Sequence, residues 1–448
     1  MARQKDPLID EIRAVLRDRF GLDPENEIIN FETLRREKDP EGFDRMRAEF
    51  EAALATSLNR EEVLRRTYFG ETFGIHLHSV FSKSEVEWIR PELRIHYPVC
   101  TAEEIRRIQN PTTAEDHLLM LRADAIADSP RLKKVFLSRR EKSKENWSLT
   151  AHFERDDFNR YLNVLPPEKR ATCRKVPAGM AFLREPNGAC MRSEAGDIIV
   201  VSESLRHYLY YMNAFLFGQQ TLQVDDYLAT LMISVRTMLL KETLDFDIDP
   251  RGDLPSELDQ HVSNLVDDQI QFVIGHEYAH LLLGHLKRKL LGAPPLGVVP
   301  FDVQERFQYY TPKQNQELAA DAGALLDPQL SDLQVAERLF AATWFFLGLE
   351  IFYAIAECVD PSSRPAKTHP PPIERIWALR RTVLEVRTLD LEIIYSDEQL
   401  EHAIEWIEGL KEQLLGDFIP RNLKTLKMYG SVYIPSYRGA VLHDRIDY

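Results

Sequence analysis

The chain has 448 residues, 44% of them hydrophobic, so it is long enough for a sizeable core and for about three domains of roughly 150 residues each. Its formal net charge of −15 argues against nucleic acid and anionic lipid as partners, because like charges repel. The four cysteines form no C-x-x-C pair, which argues against a disulfide framework and a thiolate zinc site and indicates a reducing compartment.

The region 1–165 is predicted to be mainly helical. Apolar residues recur at helical spacing in its first segment and form a single stripe: Ile9, Ile12, Val15, Leu16 and Phe20. The same segment carries acidic residues throughout and has no apolar core, so it is not a signal peptide. We therefore expect a cytoplasmic protein.

Three strand-like segments follow near Pro177. The residues GMAFLRE, Pro186-Asn187-Gly188 and ACMR predict a hairpin with an Asn-Gly turn. The next segment, AGDIIVVS, predicts a strand because four β-branched residues stand in succession: Ile198, Ile199, Val200 and Val201. Helical patterns surround these segments, so we predict an α+β fold that is predominantly helical, with a small sheet.

The rest of the chain completes this division. A helix is predicted from about Pro255 to Leu283, ended by Gly284. The proline-rich stretch Lys287–Gln314 is predicted to be a loop that could form a lid over a site. The stretch Ala341–Ala356 is too short to span a membrane comfortably and contains Glu350, so we predict a buried core helix and no membrane insertion. The predicted segments are a helical N-terminal region (1–165), a core (166–385) and a C-terminal helical extension with a tail (386–448).

The motif His276-Glu277-Tyr278-Ala279-His280 lies inside the apolar helical run QFVIGHEYAHLLLGH. Two histidines four residues apart lie about 40° apart around a helix and about 6 Å apart along it, so both can bind one tetrahedral Zn²⁺. Glu277 points about 100° away and can act as a general base on a water molecule at the metal. The alternative is a buried helix whose two histidines form hydrogen bonds within the core. Without such partners, burying these polar side chains would cost several kcal/mol.

Three interpretations of the third ligand compete. His285 would point about 140° from His280 on a continuous helix and so away from the metal. The metzincin pattern needs Gly and His where this chain has Leu283 and Leu286, so it is rejected. The third interpretation is a carboxylate from the segment QELAADAGA, in which Glu317 and Asp321 share one helix face among small residues. Close packing of that helix would let Glu317 reach the metal while Asp321 accepts the ring N–H of a ligating histidine.

HEYAH followed by ELAAD resembles the gluzincin arrangement, in which two His and a downstream Glu bind zinc. The segment THPPPIERI is similar to the corresponding segment of the peptidase family that contains the CAAX prenyl proteases and HtpX. That resemblance implies a zincin-like core, an oxyanion-stabilising role for His369 and a carboxylate-orienting role for Arg375. HEYAHLLLGH also resembles the ImmA/IrrE-type and Lit-type peptidases, which favours an intracellular protein target over a membrane substrate.

These observations predict a zinc-dependent endopeptidase in which His276, His280 and Glu317 bind Zn²⁺ and Glu277 is the general base. The substrate is a protein or peptide. In zinc peptidases of this shape an exposed edge strand pairs with the extended substrate, and the candidate here is Ile198–Val201; an interior strand is the alternative. A different class of function also stays open, a zincin-fold sensor or binding module with a structural or regulatory metal and no proteolysis.

Overall fold

The computed structural model describes residues 39–56, 88–127, 129–143, 147–153, 156–182, 188–286, 291–292, 307–310, 313–359, 369–439 and 443–444. The predicted first helix, with its apolar stripe from Ile9 to Phe20, lies outside the described residues. So does most of the predicted loop Lys287–Gln314.

The described residues belong to two compact units. The first comprises those of Met1–Asn110 and Leu132–Leu149. It contains α1 (Pro40–Thr56), a 3-10 helix (Pro91–His96), α2 (Ala102–Gln109) and most of α4 (Pro130–Ser143). A capping box at Thr101 begins α2, because its hydroxyl accepts from the Glu104 N–H while the Glu104 carboxylate accepts from the Thr101 N–H.

The second unit comprises the described residues of Pro111–Arg131 and Thr150–Asp447. It therefore includes residues from all three predicted segments, whose boundaries stay predictions. Its early helices are α3 (Ala114–Ala127), α6 (Asp156–Asn163) and α7 (Pro167–Cys173), with the short α5 (Leu149–His152) at its start. Its central helices are α8 (Glu203–Phe217), α9 (Val224–Met238), α10 (Ser256–Leu282), α11 (Gln314–Leu326), α12 (Asp332–Val359) and α13 (Pro372–Leu384). Its last elements are α14 (Leu391–Ile394), α15 (Asp397–Gln413), a π-helical turn (Leu414–Phe418), α16 (Ile419–Lys427), α17 (Pro435–Arg438) and the pair β6 (Ser431–Val432) and β7 (His443–Asp444).

A mixed sheet accompanies these helices, so the prediction of a predominantly helical α+β fold is confirmed. Its strands are β1 (Ala178–Ala181), β2 (Gly188–Ser193), β3 (Gly196–Ser202), β4 (Leu291–Gly292) and β5 (Phe307–Tyr310), in the order β1-β3-β2-β5-β4. Among the strand pairs of the described residues in this sheet, only β1–β3 is parallel. Strands β4 and β5 lie within the stretch predicted to be a loop.

The predicted hairpin between GMAFLRE and ACMR is wrong. Residues 179–181 of the first segment belong to β1, which pairs with β3 in parallel. Strand β2 instead forms a hairpin with β3 through the turn at Glu194 and Ala195. Gly196 has φ +146°, a conformation that favours glycine, and it lets the chain re-enter the sheet directly after this turn. The Asn187 part of the predicted turn lies outside the described residues.

Strand β3 is an interior strand. Ile199, Val200 and Val201 face β1 on one side and β2 on the other, and Ile198 through Val201 have no exposed surface. The prediction that Ile198–Val201 is an exposed substrate-binding edge is therefore wrong, because its backbone hydrogen-bonding groups are used within the sheet. The unbroken β-branched run is typical of a strand buried on both faces.

Helix α12 forms the apolar centre of the second unit. It extends over 28 residues and contains Ala341–Ala356, and its most apolar window has a mean hydropathy of 1.8. By length and composition alone it could cross a membrane, but 78% of that window is buried inside the protein. It packs against α8, α10 and α13, in agreement with the prediction of a core helix.

Candidate metal centre

The two motif histidines lie near the end of α10, which begins at Ser256 and ends at Leu282, close to the predicted bounds. Both side chains are buried. Their Nε2 atoms are 3.1 Å apart, so the two rings converge on one point as their spacing predicts.

Helix α11 brings Glu317 to the same point. Its two carboxylate oxygens lie 3.4 Å from His276 Nε2 and 3.5 Å from His280 Nε2. Ligand atoms of the three residues all lie within 4.8 Å of one another, and within the described ranges this is the His, Cys, Asp and Glu group able to hold an ion. The third of the three ligand interpretations is thus the one whose residues come together.

The donor set fits a divalent metal ion. Glu317 Oε2 is buried and forms no hydrogen bond with a described residue, although His276 Nε2 and His369 Nε2 lie 3.4 Å and 3.1 Å away. A buried carboxylate oxygen without a hydrogen bond is costly unless a cation satisfies it. Two imidazole nitrogens and one carboxylate are a protein ligand set typical of catalytic zinc.

Protonation in the metal-free site follows from these contacts. Burial alone would lower the pKa of His276, but the hydrogen bond to Asp321 and the negative charges of Asp321 and Glu317 raise it to about 10. Burial and the neighbouring His276 charge lower the pKa of His280 to about 3. Burial opposes ionisation of Glu317, yet its contacts with His276 and His369 hold its pKa below the usual range.

Asp321 supports His276 from one turn further along α11. Its Oδ1 lies 2.8 Å from His276 Nδ1, so the predicted hydrogen bond to the spare ring nitrogen is present. Arg375 donates to both oxygens of Asp321, from Nε at 2.8 Å and from Nη2 at 2.6 Å. Burial would raise the pKa of Asp321, but the Arg375 charge lowers it, so the carboxylate stays ionised. Arg375 also lies over the Phe346 ring at 4.5 Å, which holds the guanidinium in place.

His369, just before α13, is the more exposed member of the site. Its side chain is 39% exposed, and its Nε2 lies 3.1 Å from Glu317 Oε2. The structure thus brings both His369 and Arg375 to the centre, but in contact with different carboxylates. The oxyanion role of His369 stays a prediction.

Glu277 packs against strand β2. The Cys190 thiol donates to its Oε2 at 3.2 Å, and a Cβ on Gly188 would lie 2.7 Å from its Oε1. Burial raises the pKa of Glu277, an effect that the His276 charge and the Cys190 hydrogen bond oppose. Sequence reasoning missed Cys190, since nothing local relates it to a residue 87 positions later.

His285 is the second contact that sequence reasoning missed. The prediction that His285 points away from His280 assumed a continuous helix, and it is wrong, although His285 does lie outside the group of possible metal ligands, as expected. Helix α10 ends at Leu282, and Gly284 adopts φ +68°, so the chain turns back. His285 Nδ1 then lies 3.1 Å from His280 Nδ1, on the far side of the ring from His276 and Glu317. The glycine before His285 was the available signal, since glycine at this position commonly reverses the chain.

Comparison with protein-family models, with curated proteins and with solved structures finds no match to this chain.

Proposed function

We propose that this chain is a zinc-dependent endopeptidase with a zincin-like core, acting on an intracellular protein. The observation that carries the proposal is the buried convergence of His276, His280 and Glu317, with Glu277 directly after His276 on the same helix. The likeness of HEYAH, ELAAD and the His369–Arg375 segment to gluzincin peptidases, including the CAAX prenyl protease and HtpX family, supports it.

Each residue has a distinct task in this proposal. His276, His280 and Glu317 hold Zn²⁺, which supplies Lewis acidity toward the scissile carbonyl and lowers the pKa of water. Glu277 accepts a proton from the attacking water while the water oxygen forms a bond to the carbonyl carbon. Glu277 then donates that proton to the leaving nitrogen as the C–N bond breaks.

The surrounding residues orient this chemistry. His369 has a partly exposed ring and can donate to the developing oxyanion, where a fixed donor lowers the barrier. Asp321 and Arg375 hold His276 in the orientation that turns its Nε2 toward Glu317. Cys190 holds one oxygen of Glu277.

The test is a comparison of the wild type with Glu277→Gln, a substitution that keeps shape and removes the base. We expect equal zinc content in the two purified proteins. New protein N-termini should appear in cells that express the wild type and should be absent with the variant. Cleavage by the Glu277→Gln variant at the wild-type rate would contradict the proposal.

A second candidate is a sensor or binding module with a regulatory metal. The observation in its favour is burial: His276, the most exposed of the three ligands and Glu277, is only 8% exposed, so the site is poorly open to a polypeptide. Full zinc occupancy without cleavage of any cellular protein would favour this candidate over the peptidase.

A further inference from the structure

We propose that His285 is a positioning residue for the metal ligand His280. It accepts a hydrogen bond from His280 Nδ1–H, and it thereby holds the ring and the tautomer in which Nε2 faces His276 and Glu317. The inference rests on the proposed metal site, but its test does not require proteolysis.

The backbone places His285 over His280. Gly284 takes the left-handed conformation directly after α10, and the His285 N–H then donates to the His280 carbonyl oxygen at 2.9 Å. This reversal is a common way to end a helix, and it returns the next side chain to the last turn. A residue with a Cβ at position 284 would be strained in this conformation. The register between the two histidines is therefore set by the helix end.

The rings complete the contact. Their Nδ1 atoms are 3.1 Å apart, their centroids are 5.2 Å apart, and the ring planes are inclined at 62°. One proton can lie between two such nitrogens, so one ring donates and the other accepts.

The other contacts of His280 decide which ring donates. His280 Nε2 lies 3.1 Å from His276 Nε2 and 3.5 Å from Glu317 Oε1, so it must present a lone pair there to bind an ion. A neutral imidazole with a free lone pair on Nε2 carries its proton on Nδ1. His280 is thus the donor and His285 Nδ1 the acceptor.

The two ligating histidines consequently have different supports. His276 donates to the ionised carboxylate of Asp321, whereas His280 donates to a ring nitrogen of His285. Hydrogen-bond acceptors at this position orient a ligand and raise its basicity, and their loss typically weakens metal affinity about 10- to 100-fold. Among the hydrogen bonds of the described residues, α11 supplies no acceptor for His280 Nδ1–H. His285 supplies that acceptor instead.

The test compares His285→Asn with His285→Leu. The two new side chains have the same branched shape, but only Asn has an oxygen where His285 has Nδ1. Zn²⁺ affinity of the full chain is measured by competition with a chromophoric chelator, and the thermal midpoint of the metal-free proteins monitors folding. We expect His285→Leu to weaken Zn²⁺ binding about 10- to 100-fold and His285→Asn to retain most of the wild-type affinity.

Two results would overturn this role. Equal affinity of His285→Leu and the wild type would show that His280 needs no acceptor. Equal losses in both variants would show that the hydrogen bond is not the cause.

The spectrum of bound Co²⁺ gives a second readout, which should change in the Leu variant and be restored in the Asn variant. A wild type that binds no Zn²⁺ removes the proposed metal site and this role together, whereas a tightly binding wild type with an unaffected Leu variant removes only the role.

Discussion

A Cβ atom added to Gly323 of α11 would lie 2.8 Å from the Cβ of Ala279 on α10. This distance is shorter than two carbon atoms can approach without repulsion, so the two helices pack at the closest separation that glycine permits. Ala279 directly precedes His280 on α10, and Gly323 lies two residues after Asp321 on α11. The close packing explains how a glutamate side chain reaches ligands held by a different helix.

Gly323→Ala should therefore both destabilise the fold and weaken zinc binding. Forcing a methyl group into this contact is expected to cost about 1–3 kcal/mol in the free energy of unfolding. The control is Gly409→Ala on α15, where an added Cβ meets nothing within 4 Å; it should stabilise the protein by roughly 0.5–1 kcal/mol. Urea denaturation and chelator competition measure the two effects. A Gly323→Ala protein with wild-type stability and affinity would contradict the close packing.

Arg375→Met should be strongly destabilising. It leaves the buried Asp321 carboxylate without its bidentate partner, and breaking a buried ion pair typically costs about 3–5 kcal/mol. The control is Arg387→Met, since the Arg387–Asp332 pair is solvent-exposed and should contribute less than about 1 kcal/mol. Chemical denaturation of the metal-free proteins provides the comparison. Adding Asp321→Asn to the Arg375 variant should recover part of the loss, and its failure to do so would argue against an electrostatic cause.

Two Glu→Gln substitutions should separate metal binding from chemistry. Glu317→Gln replaces an anionic ligand by a neutral one, so zinc should be lost at micromolar chelator concentrations that leave the wild type loaded. Glu277→Gln should keep its zinc, because this side chain packs against Gly188 and Cys190 and lies outside the ligand group. Elemental analysis after dialysis tells the two apart. Zinc loss in Glu277→Gln but not in Glu317→Gln would reverse the assignment.

Zinc binding at about pH 7.5 should release roughly one proton. In the metal-free protein the contacts with Asp321 and Glu317 raise the pKa of His276 to about 10, so this ring is charged and must lose a proton to bind. His280, whose pKa is lowered to about 3, is already neutral. Calorimetric titration in buffers of different ionisation enthalpy measures the release, and a binding heat independent of buffer would contradict it. Asp321→Asn should reduce the release.

The same raised pKa gives the sign of a stability effect in the metal-free protein. Because the folded-state pKa of His276 exceeds its unfolded value, the contribution of this residue to stability is complete below about pH 6.5 and is lost as the pH rises through about 10.

The helices of the site could be predicted from the sequence, whereas the sheet pairing could not. Helical spacing places His276 and His280 on one face, and the small residues around Glu317 and Asp321 indicate close packing, so local pattern was sufficient. Strand pairing depends on partners elsewhere in the chain. The run Ile198–Val201 is equally consistent with an edge and an interior strand until β1 and β2 are placed beside it.

The two missed contacts have separate physical reasons. Cys190 reaches Glu277 only because β2 crosses α10, which is a tertiary arrangement. His285 reaches His280 through a local turn, so it was predictable in principle. Continuing the helix geometry past Gly284 gave the wrong direction for that side chain.

Helix α12 has a consequence for synthesis of the protein. Its 28 apolar-rich residues leave the ribosome after α8 and α10 but before α13 and α15, all of which pack against it. During that interval the side of α12 that later packs against α13 and α15 is exposed, and exposed apolar surface of this kind promotes aggregation of nascent chains. A chain that stops shortly after Val359 would retain this exposure permanently, even though every proposed zinc ligand has already been made.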